Sequence, residues 1–252
     1  MTALAVDALS GGYAAADHVV KGVSLAVAPG ELLCVIGPNG AGKSTVLKLL
    51  TGLLRPRAGR VALDGRDVTG LSPRRMIEAG LVLVPQERNV FGTLTVEENL
   101  AMGCFLDPRR ARARMAAVTE RFPLLAERRR QAARTLSGGQ RQILAMGQAL
   151  MSEPRVLLLD EPTAGLSPKA ADDLFALVRA TAESGVAVLM VEQNALQAMQ
   201  VSDRALVLVD GRNAHEGPAP ALARDPEIRR LFLGGRGAGR MDASGTGRET
   251  QR

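Results

Sequence analysis

The residues best suited to chemistry lie in a glycine-rich stretch, residues 37–45, with the pattern G-x-x-x-x-G-K-[S/T]. Glycines let the backbone curl so that successive N–H groups point inward at phosphate oxygens. Lys43 can then reach the β- and γ-phosphates, and the Ser44 hydroxyl can bind Mg²⁺. The stretch therefore predicts a phosphate-binding loop. The residues expected to contact the phosphates are Gly37, Pro38, Asn39, Gly40, Ala41, Gly42, Lys43, Ser44 and Thr45.

A second candidate is a pair of acids, Asp160 and Glu161, directly after the apolar segment 156–159. Acids at the carboxyl end of a parallel strand face the crevice where ligands bind. Asp160 is expected to hold the shell of a magnesium ion, directly or through water. Glu161 is expected to polarise the attacking water as general base. A solvated strand end is the alternative, and the glycine-rich stretch upstream argues against it.

Two predicted elements position the glycine-rich stretch. The continuous apolar run Leu32–Ile36 is typical of a strand covered on both faces. Residues 44–54 have helical apolar spacing, and Arg55-Pro56 is expected to end that helix. A helix that begins at the turn presents its positive end to the same anion. This context argues against a chance match of an ordinary glycine turn.

Strand-like and helical segments alternate over much of the chain, which predicts an α/β fold with a mainly parallel sheet. We expect a core of residues 1–88 and 152–233, interrupted by a helical subdomain at 89–151, and a disordered tail at 234–252. Thr95 and Glu98 form a capping-box pattern inside the helical segment. The further predicted strands are 23–27, 61–63, Leu81–Val84, 186–191 and 205–209, and the further helices are Pro168–Glu183 and Ala195–Val201.

Composition limits the class of protein. Apolar residues make up 46% of the chain and aromatic residues 2%, so aliphatic side chains must fill the core. No apolar run approaches the roughly 20 residues that a bilayer crossing needs, and no signal peptide is visible. We expect a soluble intracellular protein in which Cys34 and Cys104 form no disulfide. The net charge of +6 leaves nucleic acid, anionic lipid and simple arginine-rich solvation open.

A third stretch, Leu136-Ser137-Gly138-Gly139-Gln140, precedes a helical segment and lies about twenty residues before the acidic pair. The order of phosphate loop, this run and the Asp-Glu strand resembles the ABC ATPase family, whose signature is this run. The resemblance covers residues 1 to about 233. It implies an ATPase using ATP and Mg²⁺, with a P-loop NTPase (RecA-like) core, an antiparallel β-subdomain and an inserted α-helical subdomain.

The family resemblance also implies roles for residues outside the phosphate loop. Two subunits of this kind sandwich two ATP molecules, so Ser137, Gly138 and Gly139 would contact the γ-phosphate bound by a partner chain. Gln86 matches the glutamine that touches magnesium and senses the membrane subunits. Tyr13, the only tyrosine, matches the aromatic residue that stacks on adenine.

Gln193 departs from the pattern, because many family members have a switch histidine there. Glutamine can hydrogen-bond a γ-phosphate or the attacking water, but it cannot carry a proton charge. We therefore expect slower hydrolysis at this chain's own ATP site, and a purely regulatory site remains an alternative. His18 and His215 lie elsewhere and are interpreted as surface residues, and Ser167 stands where many relatives have aspartate.

Three runs, residues 84–91, 94–100 and 191–194, look like the second ATPase subunit of branched-chain amino-acid importers. That resemblance implies a heterodimer with a second ABC ATPase subunit. It also implies two transmembrane permease subunits and an extracytoplasmic substrate-binding protein. The chain would lie peripherally on the cytoplasmic face of the inner membrane.

Two other functions remain open at this point. Urea or amide importers use near-identical subunits. A soluble ABC ATPase acting on ribosomes or nucleic acid is disfavoured, since such proteins usually carry two cassettes or long coiled-coil arms. The arginines between Arg109 and Arg134 have only Phe105 and Phe122 nearby for base stacking, so we interpret them as a solvated helical arm and expect no nucleic-acid partner.

Overall fold

The computed structural model describes residues 2–14 and 18–233, and it arranges their ten strands in two sheets. The strands are β1 (Leu4–Gly11), β2 (Val20–Val27), β3 (Leu32–Ile36), β4 (Ala58–Leu63), β5 (Arg66–Asp67), β6 (Leu81–Val84), β7 (Val156–Asp160), β8 (Ala187–Glu192), β9 (Arg204–Val209) and β10 (Arg212–Pro218). The α-helices are α1 (Lys43–Leu50), α2 (Pro73–Glu78), α3 (Val96–Met102), α4 (Ala111–Arg121), α5 (Pro123–Glu127), α6 (Gly138–Leu150), α7 (Pro168–Glu183), α8 (Ala195–Val201), α9 (Ala219–Leu222) and α10 (Pro226–Leu233).

The larger sheet has the strand order β10-β9-β3-β8-β7-β6. All of its pairings are parallel except that of β10 with β9. Every residue of β3 and of β8 is buried, as the continuous apolar run of β3 and that of residues 187–191 in β8 require when both sheet faces are covered. The predicted α/β class and the mainly parallel sheet are confirmed. The carboxyl ends of β3, β7 and β8 lie at one edge, because Ile36 pairs with Glu192 and Asp160 with Val191.

The smaller sheet is antiparallel, with the order β2-β1-β4-β5. Its β4–β5 hairpin turns through Asp64 and Gly65, with φ of 47° and 78°. Two successive positive φ angles are typical of a tight hairpin turn whose twist matches that of the flanking strands. This sheet is the predicted antiparallel β-subdomain.

The first helix is shorter than predicted. It ends at Leu50 rather than at residue 54, and Thr51 caps it. Gly52 follows with φ of 73°, and a Cβ atom there would lie 2.0 Å from the Leu71 carbonyl oxygen. Because the chain turns at this glycine, Arg55-Pro56 does not end the helix and that part of the prediction is wrong.

The helices between residues 96 and 150 share an apolar core of their own. Gly147 of α6 lets them approach closely, since a Cβ atom there would lie 2.6 Å from the Leu125 Cδ1 atom. Thr95 and Glu98 form the predicted capping box at the start of α3. The subdomain boundaries remain predictions, and the predicted tail 234–252 lies outside the described residues. The buried members of the apolar core that the helices between residues 96 and 150 share are Val96, Leu100, Cys104, Val118, Phe122, Leu125, Ala133, Leu136, Leu144, Leu150 and Met151.

Neither cysteine takes part in a disulfide, and both are buried. Burial raises the pKa of the Cys34 thiol to about 12, so Cys34 behaves as a small core residue. Within residues 2–14 and 18–233, we find no helix with the length and apolar character that a bilayer crossing demands.

Candidate phosphate-binding site and its neighbours

The glycine-rich stretch forms a tight loop between β3 and α1, the context that the sequence predicts. A Cβ atom at Gly37 would lie 2.2 Å from the Leu208 carbonyl oxygen, so only glycine fits there. Gly40 and Gly42 have φ of 80° and 98°, a left-handed conformation that glycine adopts at low cost. The loop therefore passes close to β9 and opens directly into the first turn of α1.

Lys43 lies inside this loop and is only 5% exposed. Its Nζ atom donates hydrogen bonds to the carbonyl oxygens of Gly37 (2.9 Å) and Pro38 (3.2 Å). Burial lowers the pKa of Lys43, while the carboxylates of Glu161, Asp160 and Glu192 act in the opposite direction. The ammonium group is thus held at the loop by backbone carbonyls and faces a cluster of carboxylates.

Ser44 joins the loop to the acidic pair. Its Oγ atom donates a hydrogen bond of 2.9 Å to Oδ1 of Asp160, the last residue of β7. Burial raises the pKa of Asp160, and the bond from Ser44 opposes that rise. Two of the three predicted magnesium ligands, Ser44 and Asp160, therefore lie in direct contact at the edge of the sheet.

Gln86 contacts the other acid. Its Nε2 atom donates a hydrogen bond of 3.3 Å to Oε2 of Glu161. Glu161 has φ of 44°, so the chain turns away from the sheet immediately after β7. Its backbone N–H donates to the Val191 carbonyl oxygen (2.9 Å), which extends the β7–β8 ladder by one residue. The structure thus brings Gln86, Glu161 and Asp160 to one place, as the sequence predicts.

Gln193 is exposed and directly follows β8. Its backbone N–H donates a hydrogen bond of 3.2 Å to Oε2 of Glu192. The other oxygen of Glu192 accepts hydrogen bonds from the Thr163 N–H (3.0 Å) and hydroxyl (2.7 Å). A cleft of about 420 Å³ separates residues 161–171 from residues 192–197. Sequence reasoning missed Glu192, although an acid at the carboxyl end of an apolar strand was the signal that identified Asp160 and Glu161.

Tyr13 lies beside the start of α1 and is 58% exposed. The Lys48 Nζ atom donates a 3.1 Å hydrogen bond to the tyrosine hydroxyl and lies 5.2 Å from the ring centroid. Hydrogen bonds with Thr45 and with Lys48 lower the pKa of Tyr13. The structure therefore provides an exposed aromatic face next to the phosphate loop, and its role in stacking remains a prediction.

The run at residues 137–139 starts α6. Ser137 is the N-cap, and it exchanges hydrogen bonds with Gln140 in a capping box. Added Cβ atoms would lie 3.3 Å from Leu166 at Gly138 and 3.2 Å from Ala170 at Gly139, so α6 begins close to α7. No hydrogen bond between described residues joins residues 137–139 to the phosphate loop.

A groove of about 270 Å³ lies between β6 and the helical segment. Phe91, Met102 and Phe105 line it, and each is nearly half exposed. Asn89 also lines the groove, and its side-chain amide donates a 2.7 Å hydrogen bond to Gln142 Oε1 on α6. The groove therefore presents exposed apolar side chains, and Pro85, the residue before Gln86, also lines it.

Comparison with known families settles what kind of protein has this geometry. The sequence profile of the ABC transporter family matches residues 20–164, more than half of the chain. The chain belongs to the ABC transporter family. It is an ATP-binding ATPase of the ABC type, as the loop, the signature run and the acidic pair predict.

Two relatives and one solved structure are similar to this chain over most of its length. The high-affinity branched-chain amino acid transport ATP-binding protein BraG of Pseudomonas aeruginosa is 44% identical, with 84% of this chain and 92% of that protein covered. The probable branched-chain amino acid transport ATP-binding protein LivF of Archaeoglobus fulgidus is 40% identical, with 86% and 93% covered. The ADP conformation of an ATP-binding cassette of an ABC transporter has a TM-score of 0.83, at 28% identity, covering 93% of this chain and 99% of that one.

Proposed function

We propose that this ABC ATPase hydrolyses ATP to energise uptake of branched-chain or related amino acids through separate permease subunits. One observation carries the ATPase site: the Ser44–Asp160 and Gln86–Glu161 hydrogen bonds bring the phosphate loop, the acidic pair and Gln86 to one edge of the sheet. The names of BraG and LivF, at 44% and 40% identity, support the substrate class.

The proposed chemistry follows from the arrangement of these residues at the edge of the larger sheet. Backbone N–H groups of the phosphate loop and the Lys43 ammonium bind the phosphates and stabilise the charge that develops on them. Glu161 accepts a proton from the attacking water, and Gln86, whose amide contacts Glu161, orients that water. Gln193 hydrogen-bonds the γ-phosphate or the attacking water. The proposed catalytic residues are therefore Glu161, Gln86 and Gln193.

The donor set at this edge suits Mg²⁺. Oxygen atoms of Ser44, Asp160 and Gln86 are hard ligands, and Ser44 already contacts Asp160. Magnesium is commonly bound through one or two carboxylates together with substrate phosphates rather than by an all-protein cage. We propose that these three residues hold the ion, which neutralises charge on the phosphates when bound.

Residues 137–139 serve the ATP of a partner chain in this proposal. They have no hydrogen bond to the phosphate loop among the described residues, and they begin a helix whose N-terminus can bind an anion. We propose a heterodimer with a second ABC ATPase subunit. The assembly also includes two permease subunits, whose loops dock on the groove lined by Phe91, Met102 and Phe105. This chain lies peripherally at the cytoplasmic face of the inner membrane, and a substrate-binding protein acts on the extracytoplasmic side.

Two variants test the ATPase site in the complex with its cognate subunits. Lys43→Ala should weaken ATP binding by about 10- to 100-fold, since a charge-assisted hydrogen bond is lost. Lys169→Ala, at an exposed position on α7, should bind ATP as the wild type does. Unchanged ATP affinity in Lys43→Ala would refute the site.

Turnover tests whether this chain's own site is the working one. Glu161→Gln should retain ATP binding and reduce hydrolysis by at least about 100-fold at that site, because the general base is lost. Glu120→Gln, on the exposed face of α4, is the matched control. Unchanged hydrolysis by a complex that carries Glu161→Gln only in this chain would show that this site is regulatory.

Uptake in a deletion strain tests the substrate class. Restoring the wild-type gene should restore uptake of labelled leucine, and the Lys43→Ala gene should not. Restored uptake of labelled urea without leucine would replace the amino-acid proposal by the urea importer alternative.

A further inference from the structure

Glu192 is one of only two charged residues that are buried in the described part of the chain, the other being Lys43. It is 2% exposed and ends β8. Burying a carboxylate is costly unless hydrogen bonds replace its water shell. The proposed function gives Lys43 a reason to be buried, but it gives Glu192 none. The burial of Glu192 therefore requires an explanation of its own.

The hydrogen bonds of Glu192 join two loops. One oxygen accepts from both the N–H (3.0 Å) and the hydroxyl (2.7 Å) of Thr163, two residues after the proposed general base Glu161. The other oxygen accepts from the N–H of Gln193 (3.2 Å), the next residue in the chain. A single side chain thus holds the loop that follows β7 and the loop that follows β8.

The sheet alone does not hold these loops together. The β7–β8 register ends at the pair Asp160 and Val191, and the Glu161 N–H adds one last bond to Val191. Beyond that bond the positive φ of Glu161 turns the chain away, and the 420 Å³ cleft opens between the loops. Glu192 supplies the contact at the point where the ladder stops.

Resting on the proposed function, we infer that Glu192 is a positioning residue that fixes Gln193 relative to the loop after Glu161, so that both face the γ-phosphate in a productive arrangement. A carboxylate suits this role because both of its oxygens only accept hydrogen bonds. A glutamine of the same size can satisfy Thr163 with its oxygen, but it then turns an N–H donor toward the Gln193 N–H.

Glu192→Gln tests the inference in the assembled complex. It should lower kcat about tenfold while the ATP affinity of the chain stays within about twofold, because a charge-assisted bond to Gln193 is replaced by two opposed donors. A merely structural role would not separate kcat from ATP affinity in this way.

Thr163 provides an independent variant if Glu192→Gln folds poorly. Thr163→Val keeps the shape, removes the hydroxyl donor, and should lower kcat about threefold, whereas Thr163→Ser should restore it. Thr181→Val is the matched control, since Thr181 is also buried and its hydroxyl donates to the Leu177 carbonyl within α7.

Two results would overturn the role of Glu192. One is wild-type kcat in a folded Glu192→Gln complex or, where that variant does not fold, in Thr163→Val. The other is a fall in ATP affinity as large as the fall in kcat. Neither result touches the proposed ATP-binding site, which is refuted if the wild-type chain itself binds no ATP or if Lys43→Ala binds it normally.

Discussion

The helical segment contains two capping boxes of nearly the same geometry. At α3, the Glu98 N–H donates to the Thr95 hydroxyl (3.2 Å) and the Thr95 N–H donates to Glu98 Oε2 (2.7 Å). At α6, the Gln140 N–H donates to the Ser137 hydroxyl (3.3 Å) and the Ser137 N–H donates to Gln140 Oε1 (3.0 Å). Both boxes satisfy one amide of the first turn and the amide of the N-cap itself.

The two helix starts differ in their remaining amides. At α3, the Val96 N–H donates to the Gln131 carbonyl (3.0 Å) and the Glu97 N–H to the Arg129 carbonyl (2.9 Å). At α6, the N–H groups of Gly138 and Gly139 have no hydrogen-bond partner among the described residues. The first turn of α3 also contains acids, whereas that of α6 contains none. A capping box therefore does not make an anion site unless free amides and an absence of acids accompany it.

The largest effect on ATP turnover should come from placing an acid in the first turn of α6, which contains none. Gly138→Asp would direct a carboxylate at the proposed γ-phosphate position of the partner's ATP, and ATP turnover by the assembled complex should fall about 100-fold. Stability should not suffer, since an acid favours a helix N-terminus and the nearest atom to the new Cβ is the end of the Leu166 side chain, at 3.3 Å. Steady-state hydrolysis and thermal unfolding measure the two effects.

Glu97→Gln is the matched control for that variant. It removes an acid from the first turn of α3, where the amides are already paired, so turnover should stay at the wild-type value. Full turnover by Gly138→Asp would show that the open amides of α6 do not face a phosphate.

The sequence predicts the α3 capping box better than it predicts this difference between the two helix starts. A capping box depends on two residues three positions apart, so Thr95 and Glu98 identify it locally. The pairing of the α3 amides depends on the chain near Arg129 and Gln131, which an isolated bridge between Thr95 and Ala132 brings alongside. Such contacts between distant segments leave no local pattern to read.

The strands that the sequence analysis missed also lack a clear local pattern. In β1 the register shifts around Ala8, which has φ of 46°, and this irregularity breaks the apolar alternation that marks a strand. The edge strand β10 is largely exposed and contains almost no apolar residue. Glu192 resembles a solvated strand end in sequence, and only the fold shows that it is buried. By contrast, the phosphate loop and the acidic pair are local patterns, and the structure brings their predicted residues together.

Removing the N-cap hydroxyl of each helix in turn should have an effect of intermediate size. Ser137→Ala and Thr95→Ala should each cost about 1 kcal/mol of stability, because both lose a bond to a first-turn amide. Only Ser137→Ala should also lower turnover of the complex, by about 3- to 10-fold, since its hydroxyl lies beside the open amides. Thermal unfolding and steady-state hydrolysis of the two variants separate these effects. An equal loss of turnover in both would remove the functional distinction between the helix starts.

The smallest effect is a difference in pH dependence, because one box contains a titratable acid and the other an amide. Hydrogen bonds from the Thr95 backbone and hydroxyl lower the pKa of Glu98 from its ordinary value of 4.5. A lowered folded-state pKa contributes stability above the unfolded-state pKa, and this contribution is lost as pH falls through the folded-state value. Wild type should therefore be more stable than Glu98→Gln above about pH 5.

The melting-temperature gap between these two proteins should narrow as pH falls below the ordinary glutamate pKa of 4.5 and through the lower folded-state pKa of Glu98. Gln140→Glu makes the complementary test, since it gives the α6 box the same acid. Its melting temperature should rise relative to wild type as pH increases through the same range. A gap that stays constant with pH in both comparisons would mean that neither box depends on the charge of its third residue. The two helix starts would then differ only in their free amides and in the acid at position 97.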